Sequence, residues 1–202
     1  MFFSSLEIVD RVYEANVIAE KWPQLLMDLS AKFHGNGGVL FAFTSHGTQK
    51  WIVSPDLQSN YEEFIRDGWA DINQRPARLA KLGHPGFATD LDVFTFEEIE
   101  NDRVYSEFYS SHDMGWAAGT MIPVPSGETL VFSFERAFRK GPFEDHEVMA
   151  LDALRPHLAR AALLSSRLEF ERAQAMTAAL AAVGLPAAVL RWQGKLYAAN
   201  PQ

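Results

Sequence analysis

Residues 115–136, GWAAGTMIPVPSGETLVFSFER, lead into a helix-patterned run from Phe143 to about Val183, and this junction narrows the folds open to the chain. Gly115 to Val124 is rich in β-branched and aromatic residues, Pro125-Ser126-Gly127 has turn chemistry, and Leu130 to Phe134 alternates. The segment therefore reads as two neighbouring strands. Two strands that feed a long terminal helix predict a sheet with a rod attached. One end of such a unit could hold a small molecule while the other passes a mechanical change onward.

Upstream, Ser5 is placed to cap a helix in which Leu6, Val9, Val12, Tyr13 and Val17 recur at helical spacing. Pro23 starts a second helix, with Leu25, Leu26 and Leu29 facing inward. After the breaker cluster His34–Gly38, Val39 to Thr44 reads as an apolar strand. His46-Gly47 turns the chain, and Trp51-Ile52-Val53 pairs back as a second strand. Asn60 to Trp69 follows as a helix, Ala77 to Lys81 as a short one, and Phe87 to Asp90 as a short strand. Thr95 and Glu98 match the capping-box spacing at the head of Phe96 to Ile99, and Val104, Phe108 and Tyr109 suggest another helix. Strands at both ends of a helical middle argue α+β, with one antiparallel sheet of five or six strands flanked by helices and a long C-terminal helix. The order fits GAF-like and PAS-like sensors. Regular strand–helix alternation, which a doubly wound sheet requires, is absent.

The terminal helix opens with an acidic turn at Glu144, Asp145 and Glu147, as the helix dipole favours. Leu151, Leu154, Leu158 and Ala161 then follow a three-four-three spacing, continued more weakly by Leu168. Up to Leu158 this stripe reads as packing on the chain's own sheet. Beyond Ala161 it reads as a connector that pairs two copies, so the five residues together form the candidate dimerisation seam. Pro156 should kink the helix or remove one backbone hydrogen bond. After Gly184-Leu185-Pro186, the stretches Ala187–Trp192 and Lys195–Ala198 read as a hairpin around Gln193-Gly194. A lone hairpin is marginal in water, so it is expected to open a further segment of a longer polypeptide. The expected divisions are 1–142 as a sensory domain, 143–183 as the connector and 184–202 as the start of a truncated PAS-like segment.

Composition removes several functions. The chain has no cysteine, which rules out disulfides, thiolate metal sites and a cysteine nucleophile. Its formal net charge of −8 opposes nucleic-acid binding, which normally needs a clustered basic face. Arg75, Arg78 and Lys81 lie close together but follow Asp67 and Asp71, and so read as a solvated helix face. No signal peptide or membrane span is present in the sequence, and a soluble cytoplasmic protein is expected. The six histidines are scattered without a zinc spacing, and no serine sits in a nucleophile elbow. His112-Asp113 reads as a solvated loop rather than an acid–base pair. The expectation is no enzyme, no cofactor and no metal.

Small-molecule sites are mostly apolar with a few polar groups that fix orientation. The aromatic and apolar candidates are Phe41, Phe43, Trp51, Tyr61, Phe64, Trp69, Trp116, Met121 and Phe132, with Asp71, Asn73 and Glu135 as polar ones. Each aromatic also has the simpler reading of filling the core. A further alternative is an interaction module that dimerises through residues 143–183 and holds no ligand.

Four stretches carry a family resemblance: Asn73-Gln74-Arg75-Pro76-Ala77-Arg78-Leu79, Thr89-Asp90-Leu91-Asp92-Val93-Phe94-Thr95, Gly115-Trp116-Ala117-Ala118-Gly119-Thr120, and Leu154-Arg155-Pro156-His157-Leu158-Ala159-Arg160-Ala161. Together they resemble the N-terminal sensory part of LuxR-type helix-turn-helix transcriptional regulators. The close, Gly184-Leu185-Pro186-Ala187-Ala188-Val189-Leu190 with Ala198-Ala199-Asn200-Pro201, is similar to the start of the PAS-like segment in such proteins. The resemblance implies a domain that binds a small molecule, forms a homodimer and relays a signal to a DNA-binding domain that this chain lacks. Acyl-homoserine-lactone receptors of that superfamily carry a Trp four residues before a Tyr, then an Asp-Pro. Here Leu57 and Asn60 stand four before Tyr61 and Phe64, and no Asp-Pro follows Asp71, so the lactone is not assigned.

Overall fold

The protein is described by a computed structural model over residues 5–44, 47–124, 127–190 and 196–200. Two helices come first, α1 (Ser5–Val17) and α2 (Trp22–Lys32), the latter with a proline in its first turn. Strands β1 (Gly37–Thr44) and β2 (Gly47–Val53) follow. The helical middle comprises α3 (Gln58–Arg66), α4 (Trp69–Ile72), α5 (Arg75–Leu82), the two-residue strand β3 (Ala88–Thr89), α6 (Asp90–Val93) and α7 (Phe96–Asn101). A π-helical turn, Val104–Tyr109, leads through a short 3-10 turn into β4 (Trp116–Pro123), β5 (Thr129–Arg136) and the 38-residue helix α8 (Asp145–Ala182). A hairpin of β6 (Ala188–Leu190) and β7 (Leu196–Ala199) closes the described chain.

The five long-range strands form one antiparallel sheet in the order β2-β1-β5-β4-β3, as the strand grouping predicted. Successive side chains of a strand point to opposite faces, and β5 shows the division clearly. Phe132 meets the Trp22 ring at 5.7 Å and Phe134 meets Phe87 at 6.0 Å, on the face covered by α2 and the first half of α8. Ser133 and Glu135 point the other way, into the layer built from α3, α5, α6 and the π-helical turn. Sheet and helices thus form three layers with a core on each side of the sheet.

Local chemistry sets several boundaries. The Thr95 hydroxyl accepts from Glu98 N at 3.1 Å while the Glu98 carboxylate accepts from Thr95 N at 2.8 Å, the predicted capping box of α7. Glu147 does the same for α8, accepting from Glu144 N at 2.9 Å. Gly83 ends α5 at φ +62°, a left-handed conformation that favours glycine.

Two expectations are revised. The strand foreseen at Phe87–Asp90 shrinks to Ala88–Thr89, because Asp90 opens α6 and the Asp92 carboxylate accepts from Thr89 N at 2.7 Å. The helix foreseen around Phe108 is π-helical rather than α-helical. Pro156 lies inside α8 and, having no N–H, leaves out one backbone hydrogen bond there, as its position implied. Leu151, Leu154, Leu158 and Ala161 are 0–7% exposed within the single chain, in the hydrophobic core that includes Ile8 and Val12 of α1, whereas Leu168 is half-buried. Packing within the chain's own fold is thus as expected up to Leu158, and it extends to Ala161 of the candidate seam.

The terminal hairpin sits on distal α8. Asn200 Nδ2 donates to Thr177 O at 3.0 Å and Leu185 O at 2.9 Å, and Ala173, Thr177 and Ala198 are buried. The foreseen turn at Gln193-Gly194 lies outside the described residues, as do His46 and Pro125-Ser126. Among the described residues no helix is long and apolar enough to cross a membrane.

Leu158→Ala should cost about 2–5 kcal/mol, the usual range for emptying a filled core site. Met149→Ala, at a residue 72% exposed on the same helix, should stay within about 0.5 kcal/mol. Urea unfolding of the two variants against the parent checks both.

Candidate functional site

A guanidinium sits between two carboxylates on the α3-side face of the sheet. Arg75 stands at the start of α5, where Asn73 Oδ1 accepts from Arg75 N at 3.1 Å and Pro76 fixes the first turn. Its side chain, 11% exposed, reaches inward and donates to Asp90 through Nε at 2.7 Å and Nη2 at 2.9 Å. Nη1 donates to Glu135 Oε2 at 3.0 Å, and Nη2 also reaches Gly115 O at 3.0 Å. The Asp90 and Glu135 side chains are each 2% exposed.

Three tyrosines complete the cluster. Tyr105 Oη donates to Asp90 Oδ1 at 2.6 Å and lies 2.9 Å from Arg75 Nε. The rings of Tyr105 and Tyr109 lie 4.7 and 4.2 Å from the guanidinium carbon, within cation–π range. Tyr61 Oη donates to Glu135 Oε1 at 3.3 Å, where Ser133 Oγ also donates at 2.6 Å. Ala117 N donates to Asp90 Oδ2 at 2.6 Å. All four carboxylate oxygens therefore have donors from within the chain.

The charges follow from this packing. Burial opposes the charge on Arg75, but Asp90 first, then Tyr105, Tyr109 and Glu135, hold its pKa well above the usual arginine value. Burial is the main cause raising the phenol pKa of Tyr61, Tyr105 and Tyr109, with Glu135 adding to it for Tyr61 and Tyr109, and Asp90 for Tyr105. The tyrosines are thus held neutral, Tyr61 and Tyr105 as donors. The cluster holds one more carboxylate than guanidinium, and its hydroxyls, ring faces and one main-chain N–H support the excess.

Beside it opens a half-open, mostly apolar cavity of about 410 Å³ at the head of β4. Ile99, Tyr105, Met114, Gly115 and Phe138 line it, and the Asp113–Arg139 ion pair stands at its edge. Two of these residues belong also to the cluster: Tyr105 through its hydroxyl, and Gly115 through its carbonyl. Gly115 has no room for a side chain, since a Cβ there would lie 2.6 Å from Phe138 Cβ.

The residues foreseen from sequence divide. Tyr61 and Glu135 meet in the cluster, and Phe64 packs behind it on Phe108 and Tyr109 at 5.0 and 6.1 Å. Trp69 is half-buried against Phe108 at 5.8 Å. Asn73 shapes the start of α5, and Asp71 is exposed, apart from the cluster's hydrogen bonds. Trp116 pairs with Arg136 and Phe132 lies against Trp22, so both face the opposite side of the sheet. Met121 pairs with Val131 toward the rim, Phe41 is half-buried, and Trp51 is 38% exposed on the edge strand. The side chain of Phe43 lies outside the described residues.

Arg75, Asp90, Tyr105 and Tyr109 were not foreseen. The reading of Arg75, Arg78 and Lys81 as a solvated face holds for the exposed Lys81 and fails for Arg75. Arg78 is intermediate, its guanidinium 4.2 Å from the Phe94 ring and 2.8 Å from Val93 O. The sequence signal was Asp90 at the end of an apolar Phe87-Ala88 stretch, where a buried carboxylate demands a cation.

No protein-family model matches the sequence, and no curated protein sequence matches it significantly. Solved structures do match. CepR2 from Burkholderia cenocepacia, described as an N-acylhomoserine-lactone-dependent LuxR-family transcriptional factor, shares the fold at a TM-score of 0.59 and 16% identity, over 81% of this chain and 98% of that one. The LBD domain of VqsR from Pseudomonas aeruginosa matches at 0.54 and 13%, over 80% and 94%. Escherichia coli SdiA matches at 0.54 and 14%, over 75% of this chain and 62% of SdiA.

Arg75→Met should lower stability by about 3–5 kcal/mol, because it strands two buried carboxylates. Tyr61, Tyr105 and Tyr109 should ionise in the native protein only above the pH of about 10 at which unfolded tyrosine does. The unfolded chain then loses these protons first, so stability should hold below about pH 10 and fall above it. Absorbance at 295 nm in buffer and in urea reads the lag directly. With these neighbours, the chain has the fold of the ligand-binding domain of LuxR-family regulators.

Proposed function

We propose that this chain is a ligand-sensing regulatory domain of a transcriptional regulator, with the small molecule seated in the cavity at the head of β4. The observation that carries this reading is the sharing of Tyr105 and Gly115 between the cavity wall and the buried cluster. A molecule in the cavity would press on the residues that hold Arg75. Its apolar part would lie on Ile99, Met114 and Phe138, with a polar end near Asp113 and Arg139. The molecule is therefore small and amphipathic.

The neighbours support the class of function. CepR2 is described as dependent on N-acylhomoserine lactones, and SdiA has been solved with octanoyl-rac-glycerol. CepR2 is described as a transcriptional factor, which supports a regulatory rather than a catalytic role for this chain. A lactone head placed on the cluster itself would have to displace Arg75 from both carboxylates, which argues against that pose here. α8 would carry the signal to a DNA-binding domain in a full-length regulator, as a homodimer. On the distal half of α8, Met176 and Leu180 are 63% and 40% exposed and lie one helical turn apart, and these would offer a face to a second copy.

Native mass spectrometry of protein purified from cells should show a retained small molecule. Ser106→Trp would place a ring in the cavity from an exposed position and should reduce the retained fraction tenfold or more, on the order of 1.4 kcal/mol. A retained mass insensitive to this change, or no retained mass and no thermal shift with acylated lactones or glycerides, would remove the reading. Sedimentation of the Met176→Glu/Leu180→Glu variant should show monomers where the parent shows dimers.

A further inference from the structure

The two faces of the sheet carry related polar chemistry, strand by strand. On the cluster side, β5 supplies Glu135, the Ala88–Thr89 strand leads into Asp90, and β4 supplies Gly115 O and Ala117 N. On the reverse side the same three strand regions are each tied to α8. Arg136, next to Glu135, donates to the Glu147 carboxylate and to Phe33 O, and its guanidinium lies 3.9 Å from the Phe143 ring. Phe87 N, just before β3, donates to Asp152 Oδ1 at 2.7 Å. Arg155 Nε donates to Thr120 Oγ1 at 2.8 Å and Nη2 to Met121 O at 3.0 Å, both on β4.

We propose that α8 reads the state of the Arg75 cluster through these ties: Arg136–Glu147, Phe87–Asp152 and Thr120/Met121–Arg155. The inference rests on the sensory reading of the site and names its route of regulation. A strand is stiff across its pleat, so a twist that moves Glu135 on one face moves Arg136 on the other. The ties fall on the first half of α8, where Glu147 does two things at once. One oxygen accepts from Arg136 and the other caps Glu144 N, so a shift of β5 bears directly on the helix start. The side-chain hydrogen bonds of Arg75 end on Asp90, Glu135, Tyr105 and Gly115 rather than on α8, so the strands beside these residues are the route to it.

Hydrogen exchange on the whole chain tests this without a ligand. Four proteins are compared: the parent, Arg75→Met, Glu147→Gln, and the double variant. Gln retains the capping role of Glu147 but not the charge facing Arg136. Arg75→Met is expected to raise exchange over residues 145–158 by about tenfold, while residues 167–182 change far less. In the double variant the two effects should be less than multiplicative, which is the mark of a shared route. Exchange that rises only around residues 87–90, 115–117 and 133–135, or effects that multiply, would overturn the proposal. If Arg75→Met does not fold, Tyr105→Phe removes one donor to Asp90 and the same peptides decide. Because no ligand is added, failure here leaves the ligand reading standing, and failure to find a retained molecule leaves this coupling standing.

Discussion

The ion pair of Arg75 with Asp90 and Glu135 is the constraint around which the rest of the α3-side layer is arranged. Burying a guanidinium and two carboxylates is costly unless geometry and hydrogen bonding compensate. Here the compensation comes from parts far apart in sequence: α5, the β3–α6 junction, the π-helical turn, and strands β4 and β5. Each must be in register for the charges to be satisfied. A one-residue slip of β5 would turn Glu135 to the α2 side and bring Arg136 to face Arg75, a like charge. The cluster therefore specifies the fold more than it adds to its net stability.

Much of the architecture was legible in the sequence because it rests on local chemistry. The capping box at Thr95 and Glu98, the proline in the first turn of α2, and the alternation of β5 each report their own element. The site was legible only in part. Tyr61 and Glu135 were among the aromatic and polar candidates, and the structure joins them. Arg75 was not, because a basic residue on a short amphipathic helix looks the same whether it faces water or a buried carboxylate. Its partners lie 15 and 60 positions away, and no local pattern links them. Trp116 and Phe132, grouped with Tyr61 and Glu135 from the sequence, lie on the opposite face of the sheet. Alternation shows which residues share a face, but not which face carries the site.

The sheet separates two kinds of work. Its α3-side face bears the cluster and adjoins the cavity, while the reverse face bears an apolar core and the polar ties to α8. A helix of 38 residues extends about 57 Å. Its first half belongs to the core and its second half carries the β6–β7 hairpin. Core packing and support of the hairpin are thus divided along one continuous helix.

The π-helical turn at Val104–Tyr109 gains meaning from the cluster it serves. A wide turn is an α-helix holding one residue too many, tolerated where function or packing repays the poorer geometry. It brings two phenol rings against one guanidinium. Shortening this stretch by a single residue would restore an ordinary helix and re-phase the whole of Tyr105–His112. One ring would then leave the cation, and Met114 would no longer be delivered to the wall of the cavity. Chains of this fold that differ in length by one residue at this point should therefore differ in the chemistry they can detect, however alike their sheets remain.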